Sequence, residues 1–138
     1  MRQFILASLL AFSAFALFGC SGDLSKQIVG KYKMEIDTTN LKEDQKGMAE
    51  MAKSFMGNMT LEIHEDKKAT IDLGFAKEDG TWEIEGNKLK ISSKMQADKP
   101  MVLVVSDNGN TLTPEMTEEE KKQMEGLQFK YVKTTDSK

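Results

Sequence analysis

Thr81-Trp82-Glu83-Ile84-Glu85-Gly86-Asn87-Lys88-Leu89-Lys90-Ile91 is the stretch that decides the fold. A two-residue Gly86-Asn87 turn joins strands without splaying them, and it sets Glu85 opposite Lys88, Ile84 opposite Leu89 and Glu83 opposite Lys90. Apolar side chains meet on one face and acids meet bases on the other. A slip by one residue would set Ile84 against a lysine, so the pattern admits one register. This is an antiparallel hairpin with a wet face and a buried one.

The same alternation continues on both sides. Gln27 to Asp37 sets Ile28, Gly30, Tyr32, Met34 and Ile36 against Val29, Lys31, Lys33 and Glu35, which predicts a half-buried first strand. Met59, Leu61 and Ile63 alternate with Thr60, Glu62 and His64, and Ile71, Leu73 and Phe75 with Thr70, Asp72 and Gly74. Met101 to Ser106 is a continuous apolar strand that ends at the turn Asp107-Asn108-Gly109-Asn110; Thr111 to Thr113 returns from it until Pro114. Leu127, Phe129 and Tyr131 point inward from a last strand. Two helices interrupt the series. Asn40 with Glu43 reads as a capping box ahead of an amphipathic helix carrying Met48, Met51, Ala52, Phe55 and Met56 at helical spacing, closed by Gly57. Thr117 with Glu120 opens a short helix through Met124, closed by Gly126. Eight strands joined by short connections predict a mainly β chain: an up-and-down antiparallel barrel or a strongly curled sheet.

The chain begins with MRQFILASLLAFSAFALFGC. Arg2 precedes an apolar run from Phe4 to Phe18 that is short for a membrane span and fits the apolar core of a secretory signal. Leu17-Phe18-Gly19-Cys20 resembles the lipobox of bacterial lipoprotein signals, with Phe18 standing where a small residue is usual. The resemblance implies cleavage after Gly19 and acylation of Cys20, with palmitate among the chains attached. It implies the segments 1–19 as signal peptide, 20–26 as acylated cysteine and tether, and 27–138 as the folded domain. Ser21, not Asp, follows the cysteine, and the resemblance then implies export to the outer membrane, with the domain on its periplasmic or surface face. Each buried methylene adds about 0.8 kcal/mol of membrane affinity, and two or more chains anchor stably.

Three stretches make the body similar to a small bacterial lipocalin-like domain: Ile28-Val29-Gly30-Lys31-Tyr32-Lys33, Gly80 to Leu89, and Asn108-Gly109-Asn110-Thr111-Leu112. Gly30-Lys31-Tyr32 stands at the family's first-strand Gly-x-Trp, so the resemblance implies that Tyr32 closes the base of the barrel. It also implies a barrel interior able to hold a hydrophobic small molecule, whereas a domain this short can instead fill its interior with side chains.

Composition narrows the function. Loss of residues 1–19 removes the only arginine, leaving 119 residues with formal charge −4 in place of −3. An acidic body without arginine argues against a nucleic-acid partner. Cys20 is the only cysteine, so the acylated chain has neither a disulfide nor a thiolate metal site. Catalysis finds no support: there is no Gly-rich phosphate loop, no Gly-x-Ser-x-Gly and no His-Glu-x-x-His, and no cofactor is implied.

Candidate binding residues are the apolar side chains expected inside the barrel or on the Met-rich helix: Tyr32, Met34, Met48, Met51, Phe55, Trp82 and Phe129. Flexible methionines suit an adaptable apolar pocket, and their thioethers also suit Cu(I); the helical spacing equally describes an ordinary core face. Pairing Ile63 with Ile71 would set Glu62 opposite Asp72, with His64 at the edge of an acidic row that could take a divalent cation. The expectation is a non-enzymatic envelope lipoprotein that binds a hydrophobic small molecule. Its alternatives are a filled barrel with an envelope protein partner, and a weak metal binder.

Overall fold

The computed structural model describes residues 23–96, 98–124 and 126–135, so Cys20, its signal segment and most of the tether lie outside the described residues. Eight antiparallel strands close into a barrel in sequence order: β1 (Gly30–Asp37), β2 (Thr60–Ile63), β3 (Lys68–Asp72), β4 (Lys77–Glu85), β5 (Lys88–Ser93), β6 (Met101–Ser106), β7 (Thr111–Pro114) and β8 (Gln128–Lys133). The decisive hairpin has the expected register, Glu85 to Lys88, Ile84 to Leu89 and Glu83 to Lys90. Closure comes from β1 against β8, running from Tyr32 opposite Lys133 to Asp37 opposite Gln128.

Up-and-down connectivity sorts the connections between two ends. At the base lie the β2–β3, β4–β5 and β6–β7 turns and α1 (Leu24–Gln27); at the rim lie α2 (Glu43–Met56), the β3–β4 turn, the β5–β6 connection and α3 (Glu118–Gln123). Every strand sends side chains inward. Tyr32, Leu61, Ile63, Ala69, Ile71, Trp82, Leu89, Ile91, Leu103, Val105, Leu112 and Tyr131 form one buried cluster with Ile28 of the base. The base half of the barrel is therefore packed with side chains.

The base is sealed by a small set of contacts. The Tyr32 hydroxyl shares its hydrogen between the carbonyl oxygens of Ile28, 2.7 Å away, and Gly109, 2.5 Å away. Gly109 sits at φ +87°, where a Cβ would come within 2.8 Å of the Gln27 backbone, so only glycine lets α1 approach this closely. Lys133 donates to the Gln27 carbonyl and lies over the Tyr32 ring at 5.5 Å. Burial lowers the Lys133 pKa. On the other side of the base, Trp82 Nε1 donates to the His64 carbonyl at 2.8 Å, and Lys67 Nζ stands 4.0 Å from the Trp82 ring centre.

Three expectations need correcting. The first strand starts at Gly30, not Gln27, because Asp23 accepts from the Ser25 backbone N–H and winds Leu24–Gln27 into a helical turn, which buries Ile28. The first long helix is capped at Lys42, not Asn40. Gln45 reaches back to accept from the Lys42 N–H at 3.1 Å, and Glu43 and Asp44 occupy the first turn, where the helix dipole favours acids. Finally, β2 and β3 pair two residues away from the expected register: Leu61, not Ile63, faces Ile71, which sets Glu62 opposite Thr70 and Thr60 opposite Asp72. The tight turn after Ile63 brings Ala69 across from it, and both are buried.

Candidate functional site

The barrel wall is thinnest between β7 and β8. They pair only at Thr111 with Val132 and at Leu112 with Tyr131, and towards the rim they part. The separation follows from Pro114, which lacks an N–H and ends the ladder, and from the chain that must pass through α3 before returning at Gln128. Between the parted strands lies a cleft of 340 Å³. Thr113 and Pro114 form one wall, and Gln128, Phe129 and Lys130 the other; Met116, Lys121, Gly126 and Leu127 lie over it from the α3 connection.

Phe129 supplies the buried apolar floor. It pairs with Ile36 across the β1–β8 ladder, and both belong to a rim-side layer outside the central cluster. The charged groups stand at the margin. The hydroxyl and backbone N–H of Thr39 both donate to the Asp37 carboxylate and hold its pKa below the usual carboxylate range, so it is ionised at neutral pH. Lys130 lies 4.0 Å from Glu35, and Lys121 pairs with Glu118 at 2.8 Å. An apolar floor with a few charges at the edge is the makeup of a small-molecule site, and 340 Å³ is near the lower end of the usual range of about 300–1,000 Å³.

The seven candidate side chains, expected inside the barrel or on the Met-rich helix, are distributed among four places. Phe129 lines the cleft. Tyr32 and Trp82 are committed to the packed base, held by their hydrogen bonds to carbonyl groups. Met34 packs partly against the cluster and borders a separate hollow of 410 Å³ beside Lys53 and Gly57 of the α2 end. Met48, Met51 and Phe55 point outward from α2, which turns Ala49 toward the barrel instead. In the sequence Pro114 reads as a strand end and Leu127 as an inward apolar position, and neither reads as part of a site; the break between β7 and β8 is not legible there, although Pro114 is its signal.

The acidic row does not form. Asp72 pairs with Lys77 at 3.4 Å and accepts from the Gly74 N–H, while Glu62 faces Thr70. Among the described residues no three His, Cys, Asp or Glu side chains converge to hold a metal ion. His64 instead begins a short chain across the outside of the barrel: its Nε2 is 3.2 Å from Thr70 Oγ1, and that hydroxyl donates to Asp79 Oδ1 at 2.9 Å. With its proton directed to Asp79, Thr70 is not activated by the histidine as a nucleophile would be. Comparison with protein-family models, with curated proteins and with solved structures finds no match to this chain.

Proposed function

We propose that this protein is a non-enzymatic binding module, held at the bacterial outer membrane by lipid on Cys20, that takes a small apolar molecule in the cleft between β7 and β8. The observation that carries the reading is the Phe129-floored opening where the β7–β8 ladder, two residue pairs long, parts toward the rim. Supporting it, the base of the barrel is packed with side chains, which leaves the rim as the place for a ligand. The lipobox-like Leu17-Phe18-Gly19-Cys20 supports the membrane address.

Native mass spectrometry and solvent extraction of the purified protein test for a co-purified apolar molecule, and fluorescent fatty-acid probes test the cleft. Thr113 is exposed and on the cleft wall, so Thr113→Trp should fill the opening and weaken probe binding by roughly tenfold or more without opening the core. Probe binding unchanged by Thr113→Trp would remove the cleft from consideration. For the anchor, Cys20→Ala should abolish incorporation of labelled palmitate; labelling equal to wild type would refute the assignment.

A second reading, an interaction protein of the envelope, is favoured by one observation. The exposed large apolar side chains Met48, Met51, Phe55, Phe75 and Met95 all lie on rim connections.

A further inference from the structure

Two printed backbone bonds fix which way each peptide group of β8 points. The Lys133 N–H donates to the Asn110 carbonyl at 2.8 Å, on the β7 side, and the Thr134 N–H donates to the Lys31 carbonyl of β1 at 2.8 Å. In an antiparallel strand both backbone groups of a residue face one neighbour and those of the next residue face the other, so counting back by two turns Tyr131 and Phe129 towards β7. On the opposite wall the Glu115 N–H donates to the Val102 carbonyl of β6 at 2.9 Å, which turns Pro114 and Leu112 towards β8. Leu112 pairs with Tyr131, and the next bonded pair in that register would be Pro114 with Phe129. Pro114 has no N–H to offer, and the ladder stops before it. The N–H and C=O of Phe129 therefore face the cleft, and among the described residues no other hydrogen bond takes them up.

Phe129 as a whole is only 6 % exposed, and backbone groups at such burial are nearly always paired, so a donor and an acceptor left side by side call for a partner. Their spacing matches one extended residue, whose N–H meets the Phe129 C=O while its own C=O accepts from the Phe129 N–H. The side chain of that residue then lies on the same face as Phe129, over the apolar floor. We propose that the ligand of this cleft carries an extended aminoacyl unit, NH-CHR-CO with apolar R, which takes the ladder position that Pro114 leaves open. The inference rests on the β7–β8 cleft being the ligand site and names the chemistry that this site selects. Main-chain hydrogen bonds hold the ligand in register, and the floor beneath R chooses it. Two sources present such a unit, an N-acylated amino acid and an apolar peptide segment, and the test separates them.

Calorimetry on the full chain in detergent compares N-octanoyl-leucine, the amide of acetyl-valyl-leucyl-valine and plain octanoate, with fluorescent fatty-acid probes as the reference for the cleft itself. At least one leucine ligand should bind roughly tenfold or more tightly than octanoate, and the tighter of the two names the source. Methylation of its leucine nitrogen deletes the N–H that meets the Phe129 C=O and keeps the apolar groups, so it should weaken binding roughly tenfold or more. In isotope-labelled protein the Phe129 amide resonance should shift and its exchange should slow as the ligand binds. Pro114→Ala supplies the missing N–H, so the free variant should already protect its Phe129 amide and should lose about tenfold in affinity for the leucine ligand. Probe binding together with an N-methyl ligand as tight as its parent, or with a Phe129 amide indifferent to the ligand, overturns the aminoacyl unit and leaves the apolar cleft standing. Silence from the probes and the leucine ligands alike overturns the cleft and this inference together. Full affinity in a Pro114→Ala chain whose Phe129 amide is already protected overturns it as well.

Discussion

Both tyrosines of the chain are buried phenols, and they separate two roles that burial alone would not. Burial pushes the Tyr131 pKa up to about 12 and that of Tyr32 higher. An unfolded tyrosine titrates near ~10, so above that pH the unfolded chain releases protons that the folded chain retains. Stability is therefore full below about pH 10 and falls as pH rises through the folded value of Tyr131. Phenolate absorbance should stay flat through the ordinary tyrosine range and then rise together with loss of the β circular dichroism signal; titration of either phenol at its ordinary value in folded protein would contradict the burial. The two hydroxyls differ in partners. Tyr32 Oη serves two buried carbonyls at the base, whereas the Tyr131 hydroxyl makes no hydrogen bond among the described residues. Tyr32→Phe should cost roughly 1–3 kcal/mol in urea unfolding, and Tyr131→Phe within about 0.5 kcal/mol of nothing. Tyr32 was legible as a base-closing aromatic from Gly30-Lys31-Tyr32, but its acceptors were not, since Gly109 is brought there by a contact spanning most of the chain.

Elements whose determinants lie within a few residues read correctly from the sequence. The β4–β5 hairpin does, and so does α3, where Thr117 Oγ1 accepts from the Glu120 N–H at 3.2 Å and Glu120 accepts from the Thr117 N–H at 2.7 Å. The same pattern misleads at Asn40 because an alternative four residues long, Lys42 to Gln45, satisfies the backbone while leaving Glu43 and Asp44 in the first turn. Thr117→Ala should then cost about 1 kcal/mol and Asn40→Ala less than about 0.5 kcal/mol, measured as urea midpoints at unchanged slope. Equal losses at the two sites would place the α2 cap back at Asn40. The Met-rich helix shows the other limit of sequence reading. Periodicity finds an apolar face but not which part of it the barrel covers, and here Ala49 lies inward while Met48, Met51 and Phe55 lie outward. The β2–β3 register fails for a related reason: Leu61 and Ile63 have the same parity, so both pairings keep apolar residues inside and only the turn length decides between them.

Barrel closure is a property of the whole folded domain, because β1 and β8 are the first and last strands of the barrel and pair across its full sequence length. Alternation predicts eight strands and their inward faces; it carries no information about where the cylinder is weakest. That place is set by the competition between the β8 ladder to β1, which runs over six residue pairs, and its ladder to β7, which runs over two. Since β8 is held firmly on one side, separation at β7–β8 breaks little and widens a cleft already present beneath α3, whereas opening at β4–β5 must break the hairpin whose six pairs include buried Trp82, Ile91 and Leu89. Native-state hydrogen exchange should accordingly show β7 and α3 amides exchanging through a partial opening several kcal/mol below the global free energy, and β4 and β5 amides exchanging only with global unfolding. Uniform protection of β7 and β4 would mean that the parted strands do not act as a gate. The low-energy opening matters for binding, because the wall that yields most easily is the wall beside Phe129, and an apolar molecule too large for 340 Å³ could enter there without disturbing the sealed base around Tyr32. A cleft-filling Thr113→Trp should then raise β7 protection as it excludes the probe, which ties the opening and the ligand site to the same pair of strands.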